Sequence, residues 1–281
     1  MLKWKEQIKE LREQDMLVRE CRKYEEFLPR VKAFAAGQIK NLFTIGSRGS
    51  GKSYLIKRIP KVCYTDAAAS PVELFAEGYR NKDRTMALDD LDSLFKHKDA
   101  VPLFKAFCDL DKPSVVCWKK QNSWLESQEI PTSYRTSSHF CFIANRCPSL
   151  DDNMLALLDR SEVVYFFPPP PEVHRYVGTF WNMKLHKDVY DFVGEVSKKA
   201  TTLSIRWYVN LLNEKTHNND WKDDFVNLVH GGDKMMEYMA TLEASDLTKG
   251  EKLKAFCDEF GVCRATYFNY LGDYKDARGE A

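Results

Sequence analysis

The chain has 281 residues, 44% of them hydrophobic, and its 42 basic and 41 acidic side chains leave a net charge of +1. Such a balance excludes binding of nucleic acid through a global positive field, so any contact of that kind must come from local patches. No apolar stretch approaches the ~20 residues that cross a bilayer, and the charged start Met1-Leu2-Lys3-Trp4-Lys5-Glu6 lacks the apolar core of a secretory signal. A cytoplasmic protein with no membrane partner is expected.

Leu2, Ile8, Leu11, Leu17, Val18, Cys21, Phe27 and Leu28 recur at helical spacings between charges, which predicts helix over 2–35 interrupted at Pro29. Strand and helix then alternate. Strands are predicted at 41–46, around Lys61-Val62-Cys63-Tyr64, at Thr85 to Asp90, at Ser114 to Trp118, at His139 to Ala144 and at Val163 to Phe167. Helices are predicted from 51, over Pro71 to Tyr79, over Val101 to Cys108 and over Asn153 to Leu158. Continuous apolar strands between helices predict an α/β core whose mostly parallel sheet is covered on both faces. The run Pro168-Pro169-Pro170-Pro171 marks a boundary. Beyond it, Glu172 to about Ala244 reads as helices, and a separately patterned helical tail begins near Leu247. The expected organisation is a helical segment (1–36), an α/β core (37–170), a helical segment (171–245) and a tail (246–281). Eight cysteines, at 21, 63, 108, 117, 141, 147, 257 and 263, are scattered without zinc spacing, and the six histidines form no ligand cluster. They read as buried reduced thiols.

The sharpest motif is Gly46-Ser47-Arg48-Gly49-Ser50-Gly51-Lys52-Ser53, placed directly after the apolar run Leu42-Phe43-Thr44-Ile45. Strand, glycine-rich loop and helix in this order form the phosphate-binding pattern. The glycines let backbone N–H groups face the β- and γ-phosphates, and the following helix start adds partial positive charge. Lys52 reaches the terminal phosphates as a point charge, and Ser53 offers a hydroxyl to Mg²⁺. ATP and Mg²⁺ are the expected cofactors.

Met86-Ala87-Leu88 ends in Asp89-Asp90. A strand of this kind is expected beside the loop strand, with Asp89 holding Mg²⁺ and Asp90 polarising the attacking water. Asp90 is shorter than the Glu many such sites carry, which implies a longer reach or a slower reaction. Asn145 caps the strand His139 to Ala144 and is placed to hold that water. Arg160 precedes the last strand, and Arg206 opens a helix in the all-α segment.

This set of phosphate loop, Asp-Asp strand, Asn-tipped strand and two arginines resembles the AAA+ ATPases over roughly residues 37 to 215. The resemblance implies that the core sheet has five strands, that residues 171–245 are a helical lid and that Asn145 is a sensor. It implies further that Arg160 reaches a neighbouring subunit's nucleotide and that Arg206 contacts nucleotide from the lid. An Arg supplied in trans is worth about 10³–10⁵ in rate, so the lone protomer would be nearly inert. Self-assembly into a ring or filament with a hexameric turn would be needed. Arg30 to Gly37, Phe142 to Asn145, Ala156 to Arg160 and Glu172 to Arg175 are similar to ATPases of phages, plasmids and transposons, of the transposition-regulator or helicase-loader type.

Two regions are candidates for DNA. The insertion 112–138 carries Trp118-Lys119-Lys120 between two β-prone pieces, the second of which holds Arg135, and reads either as a hairpin projecting into a ring channel or as a surface excursion with Trp118 and Trp124 packed on the core. The tail helices flank Gly261 in a pattern similar to helix-turn-helix, with Arg264, Thr266 and Asn269 facing a groove. From Asp246 onward seven acidic residues face six basic ones, which argues against a strong DNA reader and leaves a terminal helical hairpin that packs on the lid or recruits a partner protein as the alternative. The expected activity is ATP hydrolysis that assembles the protein on DNA and controls a transposase, initiator or helicase in transposition or replication. The alternatives are a nucleotide-gated binding module or a defence ATPase with slow turnover.

Overall fold

The computed structural model describes residues 3–66, 70–91, 94–145, 150–198, 203–222, 235 and 238–278. Cys147, read above as a thiol, lies outside them. The chain divides into two compact units, one of residues 8–180 with 201–205, the other of residues 1–7, 181–200 and 206–281.

The first unit is built on a sheet of six parallel strands: β1 (Val18–Cys21), β2 (Asn41–Gly46), β3 (Val62–Asp66), β4 (Thr85–Asp89), β7 (Phe140–Ala144) and β8 (Glu162–Phe166). Their spatial order is β1-β8-β2-β7-β4-β3. Two expectations change here. The sheet has six strands, not five, because the segment expected to be helical contains β1 between α1 (Lys3–Glu13) and α2 (Tyr24–Ala35). The break comes at Asp15, whose φ of +58° ends α1, and not at Pro29, which lies inside α2. Asp tolerates the left-handed region better than most residues, so the stop needs no glycine. β1 is then fixed from far away in sequence, by pairing Val18 to Cys21 with Val163 to Phe166 of β8.

The second change concerns Ser114–Cys117, here β5. It pairs antiparallel with β6 (Ser133–Thr136) in a separate two-stranded sheet. Val116 and Tyr134 face inward, while Val115, Cys117, Ser133 and Arg135 face outward. The inner face lies on α4 (Pro71–Arg80): the Tyr134 hydroxyl donates to the Phe75 carbonyl at 3.0 Å, and Trp118 meets Phe75 at 5.9 Å between ring centroids. The insertion is therefore seated on the core along one face and does not stand free.

The main sheet is covered on both sides because its strands alternate between two apolar sets. Leu42, Cys141, Ile143, Val164 and Phe166 meet Phe27, Val31 and Phe34 of α2 with Leu55 and Ile56 of α3 (Lys52–Lys57). On the other face, Phe140 stacks on Phe107 and Phe142 meets Phe104 edge to face, both from α5 (Ala100–Phe107). The proline run does not exclude helix either. Pro170 begins α8 (Pro170–Gly178), where a missing N–H costs nothing in the first turn. Glu172 of α8 accepts the Tyr24 N–H at 3.0 Å and Tyr176 stacks on Tyr24 at 3.7 Å, so α8 belongs with the α/β unit.

In the other unit, α9 (Met183–Ser197) and α10 (Arg206–His217) meet through Tyr190 and Tyr208. The tail helices Lys249–Phe260 and Arg264–Arg278 close on Phe256, Tyr267 and Tyr274, with Met239 and Leu242. Of the described cysteines, Cys21, Cys108 and Cys141 are buried, and burial pushes the Cys141 thiol up to about 12. Cys117 and Cys263 are exposed, the first because it sits on the outer face of β5. Among the described residues no helix is long and apolar enough to cross a membrane.

A side chain at Gly78 of α4 would lie 2.4 Å from the Tyr134 hydroxyl and 2.7 Å from the Phe107 ring. Gly78→Val is therefore expected to lose about 1–3 kcal/mol of stability through overpacking, read as a lowered thermal midpoint of the α/β unit.

Candidate functional site

The parallel register sets the site. Ile45 pairs with Ala144, so the next row at the carboxyl edge is Gly46 of the loop and Asn145 beyond β7. β4 pairs with β7 and β3 rather than with β2. The acid-tipped strand is thus one strand removed from the loop strand, and the Asn-tipped strand lies between them. Order along the sheet cannot be read from order along the chain, which is why the sequence suggested direct neighbours. A crevice at the carboxyl ends of strands, where connections diverge, is where open α/β sheets bind ligands.

The loop has the curl its glycines imply. Gly49 and Gly51 hold φ of +73° and +87°. A Cβ at Gly46 would lie 2.2 Å from the Phe166 carbonyl oxygen, and one at Gly49 would lie 2.0 Å from Ser204 Oγ. Ser50 is buried and its hydroxyl donates to the Ser47 carbonyl at 2.8 Å. Lys52, only 4% exposed, donates to the carbonyls of Gly46 (2.7 Å) and Ser47 (2.9 Å) and reaches Asn145 Oδ1 at 3.5 Å. Arg48 is exposed. α3 runs for only six residues, so its dipole adds less here than the loop amides and the Lys52 charge.

Asp89, 7% exposed, is held in one orientation. Its Oδ1 accepts the Asp90 N–H at 2.9 Å, and its Oδ2 accepts the Tyr64 hydroxyl. Burial and the carboxylate hold the Tyr64 phenol far above its ordinary value, so it keeps its proton and donates. Asp90 is exposed, at φ +54°. Among the described residues no group of three or more His, Cys, Asp or Glu is placed to hold a metal. A serine hydroxyl and one carboxylate, with the remaining positions left to phosphate oxygens and water, is nevertheless a donor set that suits Mg²⁺.

Arg160 is not part of this cluster. Its carbonyl accepts from Asn41 Nδ2 at 3.0 Å, at the start of β2, while the loop begins at the strand's other end. Five strand rises separate them, about 17 Å, and the guanidinium donates to the Ala156 carbonyl. It cannot serve its own protomer's loop. Arg206 opens α10 in the other unit.

Three contacts around the loop carry no sequence motif. The buried Tyr24 hydroxyl donates to the Ser50 carbonyl at 2.8 Å. The Ile205 N–H donates to the Gly49 carbonyl at 2.9 Å. Tyr64 is the third, and each depends on a pairing distant in sequence.

The nucleic-acid candidates are dispersed. Lys119 and Arg135 are exposed, whereas Lys120 is ion-paired with Asp99. In the tail, Arg264 lies 5.4 Å from the Phe268 ring centroid, Asn269 is exposed, and half-buried Thr266 meets the Cys263 thiol at 3.5 Å. Arg264 and Thr266 are two positions apart, about 200° around a helix. Thr266 and Asn269 therefore lie on one side of the helix and Arg264 on another.

No protein-family model matches the sequence, and no curated protein is found similar to it. The chain is similar to the solved structure of a DNA replication initiation factor (14% identical, 85% of this chain and 70% of that one, TM-score 0.42). It is also similar to AMPPCP-bound DnaA from Aquifex aeolicus (16% identical, 90% and 87% covered, TM-score 0.44). A further similar structure is the Bacillus subtilis DNA clamp loader delta protein (8% identical, 89% and 88% covered, TM-score 0.31). No function follows from likenesses at this level.

Gly46→Ala is expected to destabilise the α/β unit, because the new methyl meets fixed backbone rather than a movable side chain. Gly250→Ala, in an open helical position with nothing within 4 Å, should be neutral or stabilise by up to about 1 kcal/mol. Thermal midpoints of the two variants measure the difference.

Proposed function

We propose that the chain binds ATP at residues 46–53 and hydrolyses it with Mg²⁺, as an AAA+-type ATPase acting on DNA. The observation that carries this reading is the Lys52 ammonium, buried at the carboxyl edge of the sheet and held by loop carbonyls beside Asn145. Phosphate oxygens are charged acceptors and form bonds roughly twice as strong as neutral carbonyls do, so a triphosphate draws the ammonium away from its present partners.

In this reading the loop amides and Lys52 bind the β- and γ-phosphates, and Ser53 and Asp89 hold Mg²⁺. The ion neutralises charge on the phosphates when bound. Asp90 polarises the attacking water and Asn145 positions it. Arg160 is supplied to a neighbouring copy, which fits its place about 17 Å from its own loop. Arg206 is carried as a nucleotide contact by the family resemblance alone. Self-assembly, association with DNA through Lys119, Arg135 and the tail, and control of a transposase, initiator or helicase complete the proposal.

Lys52→Ala is expected to lose ATP binding, measured with a fluorescent ATP analogue; unchanged affinity contradicts the reading. Arg160→Ala should bind ATP normally and lose hydrolysis by about 10³-fold or more. Mixing it with Lys52→Ala should restore part of the activity, because each supplies what the other lacks. Wild-type turnover that is independent of protein concentration and of added DNA contradicts both assembly and the DNA role.

A further inference from the structure

Tyr64 lies on the edge strand β3, and no motif of the sequence assigns it a task. Its ring is partly buried against the α2–α3 side of the core, and the Lys57 ammonium of α3 lies 4.9 Å from the ring centroid. That packing brings the phenol oxygen to the end of β4, where it donates to Asp89 Oδ2. The other Asp89 oxygen is occupied by the Asp90 N–H at 2.9 Å.

A carboxylate oxygen that accepts one hydrogen bond still has a lone pair for a metal ion or its bound water. We propose that Tyr64 is a positioning residue for the divalent ion: by donating its proton to Asp89 Oδ2 it holds that carboxylate in one orientation, with its remaining lone pairs turned toward the metal. The inference rests on the nucleotide site proposed above. Partners of this kind, one bond removed from the metal, typically govern metal affinity by about 10–100-fold.

The test is binding of a fluorescent ATP analogue to the full chain, first in EDTA and then titrated with Mg²⁺. Tyr64→Phe keeps the ring and removes the bond to Asp89. Its affinity in EDTA should equal that of wild type, while the Mg²⁺ concentration giving half the metal-dependent signal rises about tenfold. An unchanged or lowered midpoint overturns the proposal. Equal weakening in EDTA and in Mg²⁺ marks a merely structural residue and also overturns it. Should Tyr64→Phe fail to fold, Tyr64→His, which retains a donor and an acceptor, is compared with Tyr64→Leu. The histidine variant must need less Mg²⁺, and equal need overturns the proposal. Wild-type protein that binds no nucleotide in either condition defeats the site itself, whereas normal binding with an unshifted midpoint defeats only the role of Tyr64.

Discussion

A buried lysine ammonium at the carboxyl edge of a parallel sheet is the constraint around which the α/β unit is arranged. An ion taken out of water must be surrounded by oxygens. Here the Gly46 and Ser47 carbonyls and the Asn145 amide supply them. For those carbonyls to turn inward the loop must adopt positive φ at Gly49 and Gly51. For Asn145 to be present, β7 must run beside β2. The Tyr24 hydroxyl and the Ile205 amide then tie the loop backbone from outside, at Ser50 and Gly49. Loop shape, sheet order and charge placement are thus one problem with one solution.

What could be read in the sequence were features whose cause is local. The glycine spacing of the loop, the apolar runs of β2, β4, β7 and β8, and the aspartates ending β4 all announce themselves within a few residues. What could not be read depends on partners far along the chain. Val18 to Cys21 looks helical because a charged four-residue edge strand has no periodicity of its own, and only β8 makes it a strand. Ser114 to Cys117 looks like a core strand, yet its alternating exposure suits a two-stranded sheet laid on α4. Tyr64 and Tyr24 are ordinary aromatic residues in sequence, and their hydroxyl partners, Asp89 and Ser50, lie 25 and 26 residues away.

The basic residues suggested for nucleic acid fare differently from the nucleotide cluster. Lys120, though exposed, is ion-paired with Asp99, and the tail helix carries Arg264 on a different side from Thr266 and Asn269. DNA association would therefore draw on several copies in an assembly, each adding a few phosphate contacts, because such contacts sum and are salt-sensitive. This places weight on Arg160, the residue that would make assembly and hydrolysis one event.

The central claim is that the triphosphate lies in the loop of residues 46–53. A structure determined with a non-hydrolysable ATP analogue and Mg²⁺ tests it most directly. The account predicts β- and γ-phosphates against the Gly49–Ser53 amides, the Lys52 ammonium moved from the loop carbonyls to phosphate oxygens, and a neighbouring copy's Arg160 turned toward the γ-phosphate. Nucleotide bound elsewhere, or Lys52 still held by Gly46 and Ser47 with the analogue present, would contradict it.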